Sequence, residues 1–374
     1  MATQTDVYAG LGSPALDREL SWAEHELKQR DRTKHVHSLH PYLGKFVPQL
    51  VEVCLRRHVA PGMRVLDPFA GSGTTLVECA AFGAHSAGAD ISAFNALLCR
   101  VKTARHDLAG VTASLASALE RLDEGDPDGP PSAYLDEWYA PEALADLRRY
   151  ASLIAPDDPA ADVQRVVLSR SARSARLAPH FNLDSPRHAM HEPYWCFKHR
   201  RTCTPTADAR RFLTRYTRDT LIRIAAFAEI RQDVVAVVHH GDARAIDFGG
   251  TFDGLITSPP YPKRIDYHGQ HRYAFELLGL ADRIPEEIGN PARGCSRAAL
   301  ETYCHDVAAV LSNARHQLRP GSPVVIVIDD VRHLYDSILE RAGLELVEHR
   351  VRHVNRRTGR RDEGYFEAVL VARA

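Results

Sequence analysis

The sequence predicts a protein of the α/β class, with a mainly parallel sheet covered by helices. Strand-like and helix-like segments alternate from residue 47 to residue 101, and strand-like segments return from residue 234 to residue 372. Such alternation is typical of parallel sheets. In addition, a glycine-rich turn joins the first predicted strand to the helix after it, which is where α/β sheets bind nucleotide-like ligands.

The predicted elements follow from local patterns of apolar residues. Apolar side chains recur at helical spacing from residue 47 to 59, so an amphipathic helix is expected there. Further helices are expected at 74–82 and 92–101, the second with Ser92 as its N-cap. Short apolar or β-branched runs predict strands at 64–69, 85–90, 234–239, 252–257, 324–329, 344–351 and 366–372.

The composition excludes some classes of protein. Of the 374 residues, 44% are hydrophobic and 25% are charged, which is ordinary for globular proteins and argues against a disordered chain. No apolar run reaches the roughly 18 residues that a membrane span requires, and the first residues do not resemble a signal peptide. We therefore expect a cytoplasmic protein with no membrane partner. The seven cysteines are widely spread without a CxxC pair, which favours reduced thiols.

The net charge of −1 conceals two neighbouring segments of opposite charge. Residues 107–162 carry 13 acidic residues and 3 arginines, whereas residues 165–223 carry 12 arginines and one lysine against 4 acidic residues. Aromatic residues are interleaved with the basic ones, which favours nucleic-acid binding, while the acidic segment faces away from the nucleic acid or covers the basic one. Because both segments interrupt the α/β pattern, we predict a lead-in at 1–36, an α/β domain made of 37–106 and 233–374, and an inserted, mainly helical subdomain for target recognition at 107–232.

The motif DPFAGSGTT at residues 67–75 lies between a predicted strand and a predicted helix. Its glycines allow the backbone to approach a ligand closely, and the start of the helix offers free N–H groups. No Gly-Lys-Ser/Thr follows, so a phosphate loop for ATP is disfavoured. Asp67 would repel a phosphate and attract a cation. This favours a ligand such as S-adenosylmethionine, which carries an ammonium and a sulfonium group.

Two further acidic residues follow predicted strands. Asp90, at the end of the second strand, is placed to accept hydrogen bonds from the ribose hydroxyls of a nucleoside-type cofactor. Asp242, in a Gly-Asp-Ala turn after a later strand, could meet the adenine amine of the same ligand.

A second motif, Ser258-Pro259-Pro260-Tyr261, ends the predicted strand 252–257. The prolines fix the backbone and expose carbonyls without competing N–H groups, and Tyr261 offers a ring on which a flat base can stack. An exocyclic base amine is a poor nucleophile because its lone pair is delocalised into the ring. Acceptors on Ser258 and on the Pro259 carbonyl can hold the amine protons and turn the lone pair toward an electrophilic methyl group.

DPFAGSGTT followed by SPPY resembles the DNA amino-methyltransferases, which transfer methyl from S-adenosyl-L-methionine to the N4 of cytosine or the N6 of adenine. HPYLGKFVP at residues 40–48 resembles the third cofactor segment of that family. The resemblance implies a Rossmann-like, seven-stranded, mostly parallel sheet with an antiparallel C-terminal strand. A serine before PPY is similar to the N4-cytosine branch, although the motifs stand here in the opposite order to many serine-type enzymes. The implied catalytic residues are Ser258, Pro259, Pro260 and Tyr261, and the implied cofactor-binding residues are Lys45, Phe46, Asp67, Pro68, Phe69, Gly71, Ser72, Gly73, Thr74, Asp90, Ile91 and Asp242.

The implied substrate is double-stranded DNA, from which the target base must be flipped out before it can react. Affinity should come from contacts to phosphates. No nuclease-like motif is present, so we expect any cognate restriction endonuclease to be a separate protein. The residues expected to contact DNA are Lys198, Arg200, Arg201, Lys263, Arg264, Arg356 and Arg357.

Other interpretations remain open at this point. Cys196, His199 and Cys203, with His191 nearby, are a cluster of soft ligands, but their spacing fits no common zinc pattern and we expect no metal. An N6-adenine DNA methyltransferase or an RNA base amino-methyltransferase could use the same two motifs. A catalytically silent nucleic-acid-binding subunit is the non-enzymatic alternative, although such a protein has no chemical need for SPPY.

Overall fold

The computed structural model describes residues 16–354 and 365–374, apart from positions 24, 45, 184, 185, 263–265, 267, 291, 293, 295 and 331. Five residues with expected binding roles therefore lie outside the described residues: Lys45, Lys263, Arg264, Arg356 and Arg357.

The strands in the described part of the chain form one large sheet and one small hairpin. They are β1 (Arg64–Asp67), β2 (His85–Asp90), β3 (Tyr194–Cys196), β4 (Arg201–Cys203), β5 (Ala236–His240), β6 (Gly254–Thr257), β7 (Pro323–Ile328), β8 (Glu345–Val354) and β9 (Tyr365–Arg373). The sheet has seven strands in the order β5-β2-β1-β6-β7-β9-β8, and β3 pairs with β4 alone. The first five strands of the sheet are parallel, and β9 runs antiparallel to both β7 and β8. The predicted fold class is therefore confirmed.

Helices cover this sheet and fill the segment between β2 and β5. In the described residues they are α1 (Gln29–Arg32), α2 (Pro48–His58), α3 (Thr74–Phe82), α4 (Ala93–Thr103), α5 (Leu108–Glu120), α6 (Ala133–Trp138), α7 (Pro141–Ser152), α8 (Ala161–Ala175), α9 (Arg210–Ala228), α10 (Arg272–Leu278), α11 (Arg297–Arg315) and α12 (Tyr335–Ala342).

Side chains that alternate along the strands bury both faces of the sheet. Val65 and Ile256 pack in a cluster with α2, whereas Leu66 and Leu255 pack in a cluster with α11 and α12. A sheet that is buried on both faces needs apolar residues at successive positions, which is why the central strands read as continuous apolar runs.

Local signals set the ends of the helices that border the site. The Ser92 hydroxyl accepts a hydrogen bond from the backbone N–H of Asn95 at 3.3 Å, so Ser92 is the N-cap of α4 as predicted. Gly73 precedes α3 and Gly83 ends it, both in the left-handed conformation that glycine adopts without strain. The glycine turn between β1 and α3 is thereby fixed in place.

The helices of the segment 107–232 do not form a core of their own. Their buried side chains, such as Leu115 of α5 and Val167 of α8, belong to one cluster with Phe94 of α4 and Tyr273 of α10. The segment therefore packs as a continuation of the layer that begins with α3 and α4.

Ion pairs between the acidic and basic segments neutralise part of the positive charge that the sequence displays. Arg210 pairs with Asp123 and Asp146, both from the acidic segment. Asp219 pairs with Arg170 and Arg223 within the basic segment. These arginines hold the helices together, and Arg210 joins the basic segment to the acidic one.

Candidate active site

The carboxyl ends of β1, β2, β5 and β6 surround a cleft of about 920 Å³, including its open mouth. This edge of an open α/β sheet is the usual place for ligands. Most of the expected cofactor residues line the cleft: Phe46, Asp67, Pro68, Phe69, Gly71, Ser72, Thr74, Asp90, Ile91 and Asp242.

Asp67 is a buried carboxyl group at the floor of the cleft, with only 2% of its surface exposed. Its Oδ1 accepts a hydrogen bond from the Thr257 hydroxyl on β6 at 2.6 Å and another from the Phe69 backbone N–H at 3.1 Å. Burial raises the pKa of Asp67 to about 6, although these hydrogen bonds lower it. The side chain thus ties β1 to β6 at the edge where the ligand would lie.

Asp90 organises the glycine turn. Its two carboxylate oxygens accept hydrogen bonds from the backbone N–H groups of Gly71 at 3.0 Å and Ser92 at 2.8 Å, and from the Asn95 amide at 3.2 Å. Burial nevertheless raises the pKa of Asp90 to about 7. Asp90 therefore connects β1, β2 and α4 while it remains part of the cleft lining.

Glu287 is a third carboxyl group on the wall of this cleft, contributed by the loop before α11. Burial and the nearby charges of Asp90, Asp266 and Asp282 raise the pKa of Glu287 to about 8. Three desolvated carboxyl groups in one cleft favour a ligand that brings positive charge, since a cation makes their ionisation less costly.

Asp242 differs from these groups because it already has a cationic partner. Both of its oxygens accept hydrogen bonds from Arg244 at 2.8–3.0 Å, and Arg244 also pairs with Asp306 at 2.8 Å. Partial burial raises the pKa of Asp242, but the hydrogen bonds from Arg244 outweigh burial and hold the pKa below its usual value. Asp242 is therefore a fixed acceptor on the cleft wall.

The glycine turn and the first turn of α4 each bring one unsatisfied polar atom to the cleft. Gly71 and Gly73 both have positive φ values, of 51° and 79°. A side chain at Gly73 would come within 3.0 Å of the Cys99 sulfur, so Gly73 shapes the turn from behind and does not line the cleft. The Ser72 hydroxyl and the Asn95 amide oxygen are buried without a hydrogen-bond partner among the described residues. Both residues line the cleft, where a ligand could satisfy them.

Several cleft residues were missed by the reasoning from sequence. Tyr42 and Gly44 lie in the HPYLGKF segment, which had been recognised, and the Tyr42 hydroxyl accepts a hydrogen bond from Asn95 at 3.2 Å. Ala70 and Thr75 lie within DPFAGSGTT, and Gly241 and Ala243 flank Asp242 in the Gly-Asp-Ala turn, so their neighbours had been recognised. The others come from positions without a motif, so no local pattern could have found them. They are Ala89, Asn95, Glu286, Glu287, Ile288 and Val310.

The SPPY segment separates this cleft from a smaller one. Ser258 and Pro260 line the large cleft, whereas Tyr261 lines a neighbouring cleft of about 410 Å³. Pro259 is buried and lines neither. The Tyr303 hydroxyl donates a hydrogen bond to the Pro260 carbonyl at 3.0 Å, and the Tyr261 hydroxyl donates one to Glu367 at 3.0 Å. The segment is therefore held from both sides, with its serine facing the carboxyl-rich cleft.

Three of the expected DNA contacts lie on the β3–β4 hairpin. Lys198, Arg200 and Arg201 are exposed there, and none of them forms an ion pair with a described residue. Arg352, from the arginine-rich segment near the C-terminus, is instead buried against Glu367 at 2.6 Å. Because its guanidinium pairs with Glu367 inside the protein, Arg352 is not available to contact DNA phosphates.

The raised pKa of Asp90 predicts a dependence of stability on pH. An unfolded chain titrates Asp near pH ~4, whereas the folded protein titrates Asp90 near pH 7. Between these values the folded state holds more protons, so Asp90 lowers the free energy of unfolding as pH rises. The D90N variant lacks this titration. The difference in thermal midpoint, D90N minus wild type, should therefore be more positive at pH 8 than at pH 5.

The matched control is D242N, from the same cleft. Because the pKa of Asp242 is lowered, this carboxylate stays ionised from pH 5 to pH 8 and its loss should shift the midpoint by the same amount at both. A D90N midpoint that runs parallel to that of wild type over this range would contradict the assignment.

Comparison with known proteins identifies the family. Residues 15–97 match the N6/N4 methyltransferase family model, described as DNA methylase. The chain is 32% identical to the Type II methyltransferase M.MjaII of Methanocaldococcus jannaschii, over 92% of this chain and 81% of that protein.

Among the residues that the structure describes, no helix has the length and apolar character needed to cross a membrane.

Solved structures show more distant likenesses. TrmN from Thermus thermophilus is 16% identical, with 88% of this chain and 50% of that chain covered and a TM-score of 0.36. A methyltransferase from Pyrococcus furiosus is 12% identical, with 89% and 87% covered and a TM-score of 0.32. The family assignment rests on the family model and the archaeal relative: this chain belongs to the N6/N4-type DNA methyltransferases.

Proposed function

We propose that the protein transfers a methyl group from S-adenosyl-L-methionine to the exocyclic N4 amine of a cytosine that is flipped out of double-stranded DNA. The observation that carries the proposal is the position of Ser258. This uncharged serine lies at the end of β6, on the wall of the carboxyl-rich cleft, next to a tyrosine that lines a second cleft. The name of the archaeal relative, Type II methyltransferase M.MjaII, agrees with a role beside a separate cognate restriction endonuclease.

The charges of the large cleft fit this cofactor. When bound, S-adenosylmethionine supplies a methyl group made electrophilic by its sulfonium. Asp67 and Glu287 provide negative charge for its cationic centres, and Asp90 is placed at the end of β2 to accept hydrogen bonds from the ribose hydroxyls. The Ser72 hydroxyl and the Asn95 amide oxygen, which have no hydrogen-bond partner among the described residues, offer two further polar contacts.

The other side of the SPPY segment fits a flat base. The Tyr261 ring lines the smaller cleft with Pro262, Tyr303 and Tyr335, so a flipped base has aromatic surface on which to stack. The Ser258 hydroxyl then accepts a hydrogen bond from the amine, whereas Pro259 lines neither cleft and supports the segment from within. The bond to Ser258 turns the nitrogen lone pair out of conjugation and toward the cofactor cleft, and the amine proton leaves to water after the methyl group is transferred.

The exposed hairpin fits the DNA backbone. Lys198, Arg200 and Arg201 are accompanied by exposed aromatic rings, with Trp195 and Phe197 exposed by 54% and 72%. Large exposed aromatic surface is costly on a face that binds nothing, whereas such rings can stack on bases while cations that pair with no described residue contact phosphates. We place the protein–DNA contact on this hairpin.

The identity of the product tests the proposal. Wild-type enzyme incubated with duplex DNA and S-adenosylmethionine should yield N4-methylcytosine when the nucleosides are analysed by mass spectrometry. The S258A variant should lower turnover on the order of 100-fold, because it removes an acceptor used in the transition state, while its affinity for the cofactor stays at the wild-type value.

The S72A variant is the matched control, because it removes a hydroxyl from the cofactor side of the same cleft. It should weaken cofactor binding and leave turnover at saturating cofactor near that of wild type. N6-methyladenine as the product would overturn the cytosine assignment, and methylation found only in RNA would overturn the choice of DNA. Loss of cofactor binding in S258A would show that the serine belongs to the cofactor site.

The hairpin predicts a change in the salt dependence of DNA binding. Each phosphate contact contributes about 0.9 to the slope of log affinity against log salt concentration. Replacement of Lys198, Arg200 and Arg201 by alanine should therefore reduce the slope by about 2.7 if all three contact phosphates, as measured by fluorescence anisotropy. The control variant replaces Arg121, Arg319 and Arg341, which pair with Glu124, Asp253 and Glu301, and should leave the slope unchanged. An unchanged slope in the hairpin variant would place the DNA contact elsewhere.

A further inference from the structure

The base of the β3–β4 hairpin brings together four side chains that bind soft metal ions. The ligand atoms of His180, Cys196, His199 and Cys203 all lie within 4.8 Å of one another. The sequence pattern had suggested His191 as a neighbour of this cluster, but His191 is exposed and the structure supplies His180 instead. His180 follows α8, sixteen positions before Cys196, which is why the spacing matched no familiar pattern.

The distances within the cluster match a tetrahedral metal site. His199 Nδ1 lies 3.6 Å from the sulfur of Cys196 and 3.4 Å from the sulfur of Cys203. Zinc binds sulfur at about 2.3 Å and imidazole nitrogen at about 2.0–2.1 Å, so at the tetrahedral angle these two ligands stand about 3.5 Å apart. The third contact, between the rings of His180 and His199, has centroids 4.9 Å apart. The ligand nitrogen of His180 lies within 4.8 Å of the other three ligand atoms, so a closer approach of that nitrogen completes the tetrahedron.

The chemistry of the four side chains also fits. Cys196 and Cys203 are buried, and Nδ1 of His180 is buried without a hydrogen-bond partner among the described residues. His199 is exposed, which gives an ion a route of entry. Two thiolates and two imidazoles are the donor set that favours Zn²⁺, and four protein ligands leave no open position for a substrate.

The hairpin has a physical need for such a crosslink. Its strands are three residues each, and its own buried cluster consists of Tyr194, Cys196 and Cys203, with Met190 packed against them. An isolated two-stranded hairpin is at best marginally stable in water. The Tyr194 hydroxyl accepts a hydrogen bond from the His180 backbone N–H at 2.9 Å, which already joins the loop after α8 to the hairpin at the level of the cluster.

A second group of possible ligands in the described residues, His35, His37 and Glu78, lacks these properties. Its carboxylate is already paired, with His37 at 2.6 Å and with Lys34 at 3.1 Å. The lysine places a positive charge where an ion would lie, so this group is a buried salt-bridge cluster.

We propose that His180, Cys196, His199 and Cys203 bind one structural Zn²⁺ ion that holds the β3–β4 hairpin against the loop after α8. The ion fixes the hairpin in the conformation that exposes Trp195, Phe197 and the neighbouring cations. It takes no part in methyl transfer, because the site is built from a hairpin that lines neither of the two clefts beside SPPY.

Metal analysis of the full chain tests this proposal. Protein purified without chelators and then exposed to Zn²⁺ followed by gel filtration should retain one equivalent of zinc, measured by elemental mass spectrometry. C196S, C203S and H180A should each retain less than about one tenth of that amount, because removal of one of four ligands weakens structural sites severely. C304S is the matched control, since Cys304 is a buried cysteine in α11 outside the cluster, and it should retain the full equivalent.

Co²⁺ provides a second readout that does not depend on how well the variants fold. Wild-type protein loaded with Co²⁺ should show the thiolate-to-metal absorbance and the intense visible bands of a tetrahedral site, and Zn²⁺ should abolish both. Wild-type protein that retains no zinc, or in which Cys196 and Cys203 form a disulfide after purification under air and zinc, would overturn the proposal. The metal content is measured without any methyl transfer, so this result stands apart from the proposed reaction.

Discussion

The desolvation of carboxyl groups at one edge of the sheet is the constraint on which the site depends. Asp67 and Asp90 end adjacent parallel strands, and hydrogen bonds from Thr257 and the Gly71 backbone fix the two carboxyl groups at the cleft. Burial raises the pKa of both groups, so their ionisation is costly until a positively charged ligand enters the cleft. The same carboxyls fix the glycine turn, which means that the architecture of the turn and the preference for a cationic ligand have one physical origin.

The SPPY segment depends on contacts from parts of the chain that are remote in sequence. The hydroxyls of Tyr303 and Tyr335 lie 2.9 Å apart, and Tyr303 also donates to the Pro260 carbonyl. On the other side, Tyr261 donates to Glu367, which in turn accepts hydrogen bonds from Arg352. Strands β8 and β9 at the far edge of the sheet thus help to hold Ser258 beside the large cleft. A serine positioned in this way can accept from an amine in a fixed direction, which is what the proposed transfer needs.

Much of the fold could be predicted because the strands are short, apolar and bounded by turns. The predicted strand 85–90 agrees with β2 at both ends, and the others agree within one to three residues. The order of the strands in the sheet was not predicted, because the resemblance to a family implied only seven mostly parallel strands with an antiparallel C-terminal strand. The bounds of the segment 107–232 were inferred from its charge pattern. Charge carries no information about packing, so it could not predict that Leu115 and Val167 share a core with Phe94.

The candidate site was predicted where a motif carried it and missed where folding alone assembled it. Asp67 and Asp90 end their strands and Ser258 follows β6, so their meeting at one edge could be foreseen from the parallel topology. Glu287 reaches the same cleft from a loop without a motif, and His180 reaches the cysteine cluster from a different segment. Charge also misled in part, because several arginines of the basic segment are engaged in ion pairs within the protein.

The dependence of cofactor affinity on pH tests the central constraint most directly. Calorimetric titration compares S-adenosylmethionine with S-adenosylhomocysteine, which lacks the methyl group and the sulfonium charge. From pH 6 to pH 8 the carboxyls of Asp67, Asp90 and Glu287 pass through their raised pKa values and become ionised. The ratio of the affinity for S-adenosylmethionine to that for S-adenosylhomocysteine should therefore rise with pH. The rise should be on the order of tenfold for each unit by which the sulfonium charge lowers the pKa of a carboxyl group. A ratio of the two affinities that stays constant from pH 6 to pH 8 would contradict the account.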